Sequence, residues 1–166
     1  MQDMRSRTTT WIDPRASAAA HEGLSGLAWL EAIVAGRIPQ PPISATLDFV
    51  IVEARHGFAA FEGTPGEHVL NPMGSVHGGY ACTLLDSALG SAVMSVLDAG
   101  TAYGTVQIGV HLVRPIGVET GRVRCEARIV HRGRALATAS GELVDREGRV
   151  LAHGTTTCAL FPRARS

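Results

Sequence analysis

Asp86 stands inside a long apolar stretch, YACTLLDSALGSAVMSVL, where a carboxylate is costly unless it has partners or an opening to solvent or ligand. Two readings compete for it: a carboxylate anchored at a helix edge by Ser87 or Ser91, and a carboxylate that does chemistry. The second gains weight from what precedes it. His77, Gly78 and Gly79 come directly before the apolar stretch, and Asn71 lies six residues before His77. A helix that starts at this point exposes unpaired N–H donors, and glycine lets a substrate come close to them. Such donors polarise a carbonyl and hold a developing oxyanion, while a carboxylate supplies a base or a nucleophile; together they describe acyl transfer. The helix dipole adds about 0.3 to 1 kcal/mol of preference for negative charge there. The same glycines equally suit a phosphate, or a helix start that merely caps itself with Ser75.

Spacing limits how these groups cooperate. Gly78 and Asp86 are eight positions apart, which at helical rise separates their backbones by about 12 Å. Both must come within contact distance of one reacting carbon, so a single copy of the helix cannot serve both roles. Two antiparallel copies meeting at a twofold axis place the start of one beside the middle of the other, so the catalytic reading predicts a dimer with two composite sites.

Other chemistries are poorly represented. Cys82, Cys125 and Cys158 are odd in number and share no CxxC spacing, which suggests neither disulfides nor a cysteine metal site, and small cysteines such as Cys82 commonly fill cores. His68 and His77 lack metal-binding companions, and HExxH, GxSxG and the phosphate-loop motif are absent, so no metal is expected. Arg132, Gly133 and Arg134 in HRGR, with Arg114, offer guanidinium donors for a nucleotide or pyrophosphate, or simply solubilise turns. Tyr80, Met73, Met94 and Leu97 are either acyl-pocket or core residues.

The elements that position these residues can be read in outline. The 166 residues, 45% hydrophobic, suit one domain. Residues 1–20 are expected to be a flexible tail and 21–162 a single domain. That domain opens with a helix over 22–36, followed by a linker containing Pro39, Pro41 and Pro42. Two adjacent strands, LDFVIVEA and FAAFEG, and a brief strand HVL come next. After the enclosed long helix, four extended runs separated by turns predict a meandering antiparallel sheet wrapped around it, an α+β arrangement. Lys+Arg and Asp+Glu each number 15, so no net charge points to nucleic acid. No apolar run has the length of a membrane span or a signal peptide, and a reducing cytoplasmic setting is expected.

NPMGSVHGGYACTLLDSALG, with TVQIGVHLVRP, GRVRCEARIVHRGRALATA and GRVLAHGTTTCALF, resembles the phenylacetate-pathway (PaaI-like) hotdog thioesterases over roughly residues 24–160. The resemblance implies a hotdog fold, dimers that often pair into tetramers, and acyl-CoA hydrolysis without a cofactor, coenzyme A being part of the substrate. It assigns Asp86 as the catalytic acid residue and Asn71 as a neighbour of the water and carbonyl. It also assigns Gly78 as the carbonyl donor, His77 as organiser of the loop, and Thr105 as a hydroxyl brought beside the acid by the partner subunit. Arg114 and the HRGR turn fall near coenzyme A. Two alternatives remain: a noncatalytic acyl-CoA-binding module, and an enoyl-CoA hydratase, although no clear GDxNPxH equivalent occurs.

Overall fold

The structure, a computed structural model, describes residues 3–163. Three short helices, α1 (Pro14–Ala20), α2 (Gly26–Val34) and α3 (Pro42–Leu47), precede the strands β1 (Phe49–Arg55) and β2 (Phe58–Gly63). The long helix α4 (Gly78–Met94) follows, then β3 (Thr101–Leu112), β4 (Val123–Arg132), β5 (Leu136–Val144) and β6 (Val150–Pro162). This is the hotdog fold: one six-stranded antiparallel sheet curled around α4, which touches every strand.

The helix is held there by its side-chain period. Leu84, Leu85, Ala88, Leu89, Ala92 and Val93 recur at three- and four-residue spacings and are buried. The small, apolar inward residues of the strands, among them Ala127, Ala137, Ala139 and Cys158, let the sheet close around them. Enclosure is incomplete, because Asp86 is exposed on the remaining face.

Three local expectations are corrected. HVL is not a strand: Glu67–Val69 form a 3-10 turn, leaving only an isolated bridge between Leu70 and Val76. The proline stretch contains a helix, since Pro42 occupies its first turn, where the missing N–H has no intrahelical partner to lose. The sheet is also not a simple meander. Its order is β1-β2-β4-β5-β6-β3, so β3 crosses to the far edge and pairs with β6 while β4 joins β2. Strand order depends on contacts between distant segments, which alternation within one strand does not encode.

The two edges differ. β3 spans 12 residues and leaves Val106, Ile108 and Leu112 exposed. β1 has seven residues, carries Glu53 and Arg55, and is broken by a register shift between Ile51 and Glu53.

The helices α1 and α2 are fastened by aromatic and polar contacts. His21 is buried, stacks on Trp29 with ring centroids 4.7 Å apart, and meets Arg163 at Nδ1. Burial, then the neighbouring guanidinium, holds the imidazole down to a pKa of about 4 against an ordinary 6.5. Between those values the unfolded chain binds the proton and the folded chain does not, so this contribution is complete above pH 6.5 and is lost as pH falls toward 4. His21→Phe, which keeps a ring against Trp29, is predicted to flatten that part of the curve of melting temperature against pH. Equal slopes in the two proteins would assign the acid sensitivity elsewhere.

Candidate active site

The start of α4 is built around His77. Its backbone is extended and its Nδ1 accepts the Gly79 N–H at 2.9 Å, making His77, rather than Ser75, the cap. With Nδ1 accepting, the neutral ring carries its proton on Nε2. The His77 carbonyl takes the Tyr80 N–H at 2.9 Å, and the His77 N–H donates to the Val69 carbonyl at 2.8 Å. Of the first three N–H groups of α4, two are thereby occupied. That of Gly78 has no partner among the described residues and lies at a cleft of about 250 Å³ lined also by Asn71, His77 and Arg114. A Cβ at this position would stand 2.6 Å from Leu112 Cδ1, the far end of an exposed side chain that can turn aside, so glycine keeps the approach to the N–H open without being required by the packing of β3.

Asn71 shapes the loop that leads here. Its Oδ1 accepts from the N–H groups of Met73 at 2.9 Å and Ser75 at 3.3 Å, and its Nδ2 donates to Ser75 Oγ at 2.9 Å. The side chain therefore fixes the turn while lining the cleft. Arg114 borders the same cleft and donates to the Val150 carbonyl.

Asp86 lies two turns further along α4 and opens into a different cleft, of about 260 Å³. Thr105 Oγ1 donates to Asp86 Oδ1 at 3.2 Å. This corrects the expectation that the hydroxyl reaches the carboxylate from a partner subunit, because one chain supplies both. The local cause is a bulge: Thr105 pairs with Cys158 and Gln107 with Thr157, leaving Val106 as the extra residue beside Thr105. Bulges bend the strand and re-aim side chains, and they concentrate next to active sites.

The remaining candidates separate. Arg132 and Arg134 flank Gly133 in the β4–β5 turn, where Gly133 N–H donates to the Leu136 carbonyl at 2.8 Å and Arg132 approaches Asp98 at 3.8 Å. Through β5 and β6 this turn sits near the Thr105 end of β3, whereas Arg114 follows its other end. One chain therefore does not bring the arginines together. Of the four uncertain acyl-pocket residues, only Met94 lines the Asp86 cleft; Tyr80 and Leu97 are core and Met73 is exposed. The residues missed were Trp29, Leu30 and Ile33 of α2 and Tyr103 of β3, all lining the Asp86 cleft. The amphipathic spacing of α2 announced an apolar face but not its partner.

Cys125 and Cys158 are buried, and burial raises both thiols above their ordinary range, as suits core residues rather than nucleophiles. No cluster of three or more potential metal ligands occurs among the described residues, and none of their helices is long and apolar enough to cross a membrane.

Comparison with known proteins agrees with this architecture. Residues 73–152 match the family model described as the thioesterase superfamily. A crystal structure of a phenylacetic acid degradation-related protein from Ralstonia eutropha is 29% identical, with a TM-score of 0.70 over 78% of this chain and 98% of that one. A thioesterase family protein from Silicibacter pomeroyi is 27% identical, with a TM-score of 0.71 over 81% and 99%. The E. coli PaaI protein from the phenylacetic acid degradation operon, 23% identical, shares the fold with a TM-score of 0.72 over 86% and 99%. No curated protein matches. Residues 73–152 are thus similar to the thioesterase superfamily, and the chain shares the hotdog fold of these proteins. Its general function is accordingly thioesterase-like.

Proposed function

We propose that two copies of this chain form two composite sites that hydrolyse an acyl-CoA thioester to free acid and CoA. The observation that carries this reading is the division of the machinery. Within one chain Gly78, whose N–H has no partner among the described residues, lines one cleft, and the Asp86–Thr105 pair lines another. Neither half suffices for acyl transfer. Antiparallel pairing of two β3 edges joins each half to its complement and covers Val106, Ile108 and Leu112. It also carries Arg114 of one copy toward the Arg132–Arg134 turn of the other, which supports both as contacts for the phosphates of CoA.

The chemistry follows from the positions. The thioester carbonyl accepts the Gly78 N–H, and Asp86 of the second copy takes a proton from water as it adds to the carbonyl carbon. Thr105 holds the carboxylate by its hydrogen bond. The tetrahedral oxyanion collapses, the C–S bond breaks, and CoA leaves as thiolate or, with a returned proton, thiol. Direct attack by Asp86 is the second route, passing through an anhydride that water then opens. Asn71 and His77 fix the loop and helix start, acting through Gly78. No cofactor enters either route.

The test is thiol release from a panel of phenylacetyl, hydroxybenzoyl and medium-chain CoA thioesters by purified protein. Free CoA from at least one of them is expected. Saturable binding without thiol release supports a binding module instead, and conversion of an enoyl-CoA to hydroxyacyl-CoA without thiol release supports a hydratase.

A further inference from the structure

The cleft beside Asp86 has a wall that the family-matched segment does not supply. Trp29, Leu30 and Ile33 project into it from α2, and Ile51 and Phe61 from the sheet. α2 is seated closely: Gly26 N–H donates to the Leu97 carbonyl at 3.0 Å, and a Cβ on Gly26 would overlap the Met94 carbonyl. Trp29 Nε1 donates to the Ser17 carbonyl at 3.3 Å while its ring is stacked by His21, so this wall is braced from outside. Tyr103 is packed against Gly90, where a Cβ would stand 2.6 Å from its hydroxyl.

The chemistry of this lining selects its occupant. Asp86 is the one charged side chain among the described residues of the same chain that line it. An acyl group ending in a carboxylate therefore meets a like charge, and the described lining of this chain offers it no counter-ion against desolvation. An apolar group gains by covering Trp29, Leu30 and Ile33. An enclosed apolar cavity of about 150 Å³ takes one benzene, so this open-mouthed cleft of about 260 Å³ has room for a ring with a short arm or a chain of about eight carbons against its wall.

We propose that α2 is the acyl gauge of this enzyme: an uncharged apolar acyl group enters beside Asp86 and is limited in length by Trp29 and Ile33, while dicarboxylic acyl groups are refused. The proposal rests on the thioesterase reading for the position of the reacting carbon. Its residues are specificity determinants rather than catalytic ones, so their signature is a changed preference among substrates.

The experiment measures two quantities on the full chain across a straight-chain series, with succinyl-CoA added: kcat/KM for the thioesters, and Kd for the corresponding non-hydrolysable S-alkyl-CoA thioethers. In the wild type both are expected to be best near about eight carbons and to worsen beyond, because longer chains find no further apolar wall. Succinyl-CoA is expected to be the poorest ligand of its size. Ile33→Ala and, independently, Trp29→Ala should improve long chains relative to the eight-carbon chain by about fifteenfold, two further methylenes being buried at about fourfold each. Trp29 is only part-buried, so its truncation keeps the test available if loss of the buried Ile33 impairs folding. Thioether profiles that shift without any thioester turnover uphold the gauge and reject hydrolysis. Turnover with a length profile unmoved in the folded variants, or succinyl-CoA among the preferred substrates, overturns the gauge and leaves hydrolysis standing.

Discussion

Asp86→Asn is expected to lower kcat by about 10²- to 10⁴-fold, the range that a positioned general base contributes, and by more if the carboxylate attacks directly. The substitution keeps shape and size. Asp86 is exposed and its recorded hydrogen bond is accepted from Thr105 Oγ1, a role the amide oxygen can keep, so helix packing has no reason to change. Circular dichroism and sedimentation should therefore match the wild type while thiol release collapses. A folded Asp86→Asn protein with undiminished turnover would remove the carboxylate from the mechanism altogether.

The second large effect is recovery from two inactive proteins. Gly78→Pro deletes the unoccupied donor at the first position of α4, where proline is compatible with helical geometry. Gly78→Ala is its control, crowding Leu112 equally at Cβ but keeping the N–H. Losing one such donor lowers turnover by about 10²- to 10³-fold. When Asp86→Asn and Gly78→Pro chains are unfolded together and refolded at equal concentration, half the pairs are mixed, and each mixed pair holds one intact site. The mixture should regain about a quarter of wild-type activity, as twofold symmetry requires of a shared site. If each chain completes its own site, no mixture of the two regains anything. The readout is thiol release against the fraction of mixed pairs, counted by mass spectrometry.

The candidate site was more legible in the sequence than its surroundings were. A carboxylate within an apolar helical run is conspicuous because the core around it cannot solvate a charge, and Asp86 duly marks the open side of α4. The histidine and glycines before it announce a helix start, and His77 as cap leaves Gly78 as the spare donor. Both are local properties, decided within a few residues. The Thr105–Asp86 contact was harder to read, since it depends on a bulge opposite Cys158 and on β3 lying across the fold from its neighbours in sequence. The strands themselves announced their alternation, but their order is a matter of distant pairing. α3 was hidden by prolines that suit a first helical turn as well as they suit a linker. The walls of the Asp86 cleft were hidden for the same reason as strand order: α2 shows which side is apolar and cannot show what it will cover.

The unequal rims of the sheet bear on how far self-association can run. β1 is short, kinked by its register shift and charged at Glu53 and Arg55, features that discourage backbone recruitment, whereas β3 is long and greasy. A molecule with one adhesive border and one blunted border consumes its adhesive side in a single symmetric union and leaves only the blunted side outward. Were two copies to join through β3 in this way, growth through the backbone would terminate at the pair, and the extended ribbon that an eager border on each side would propagate would not start.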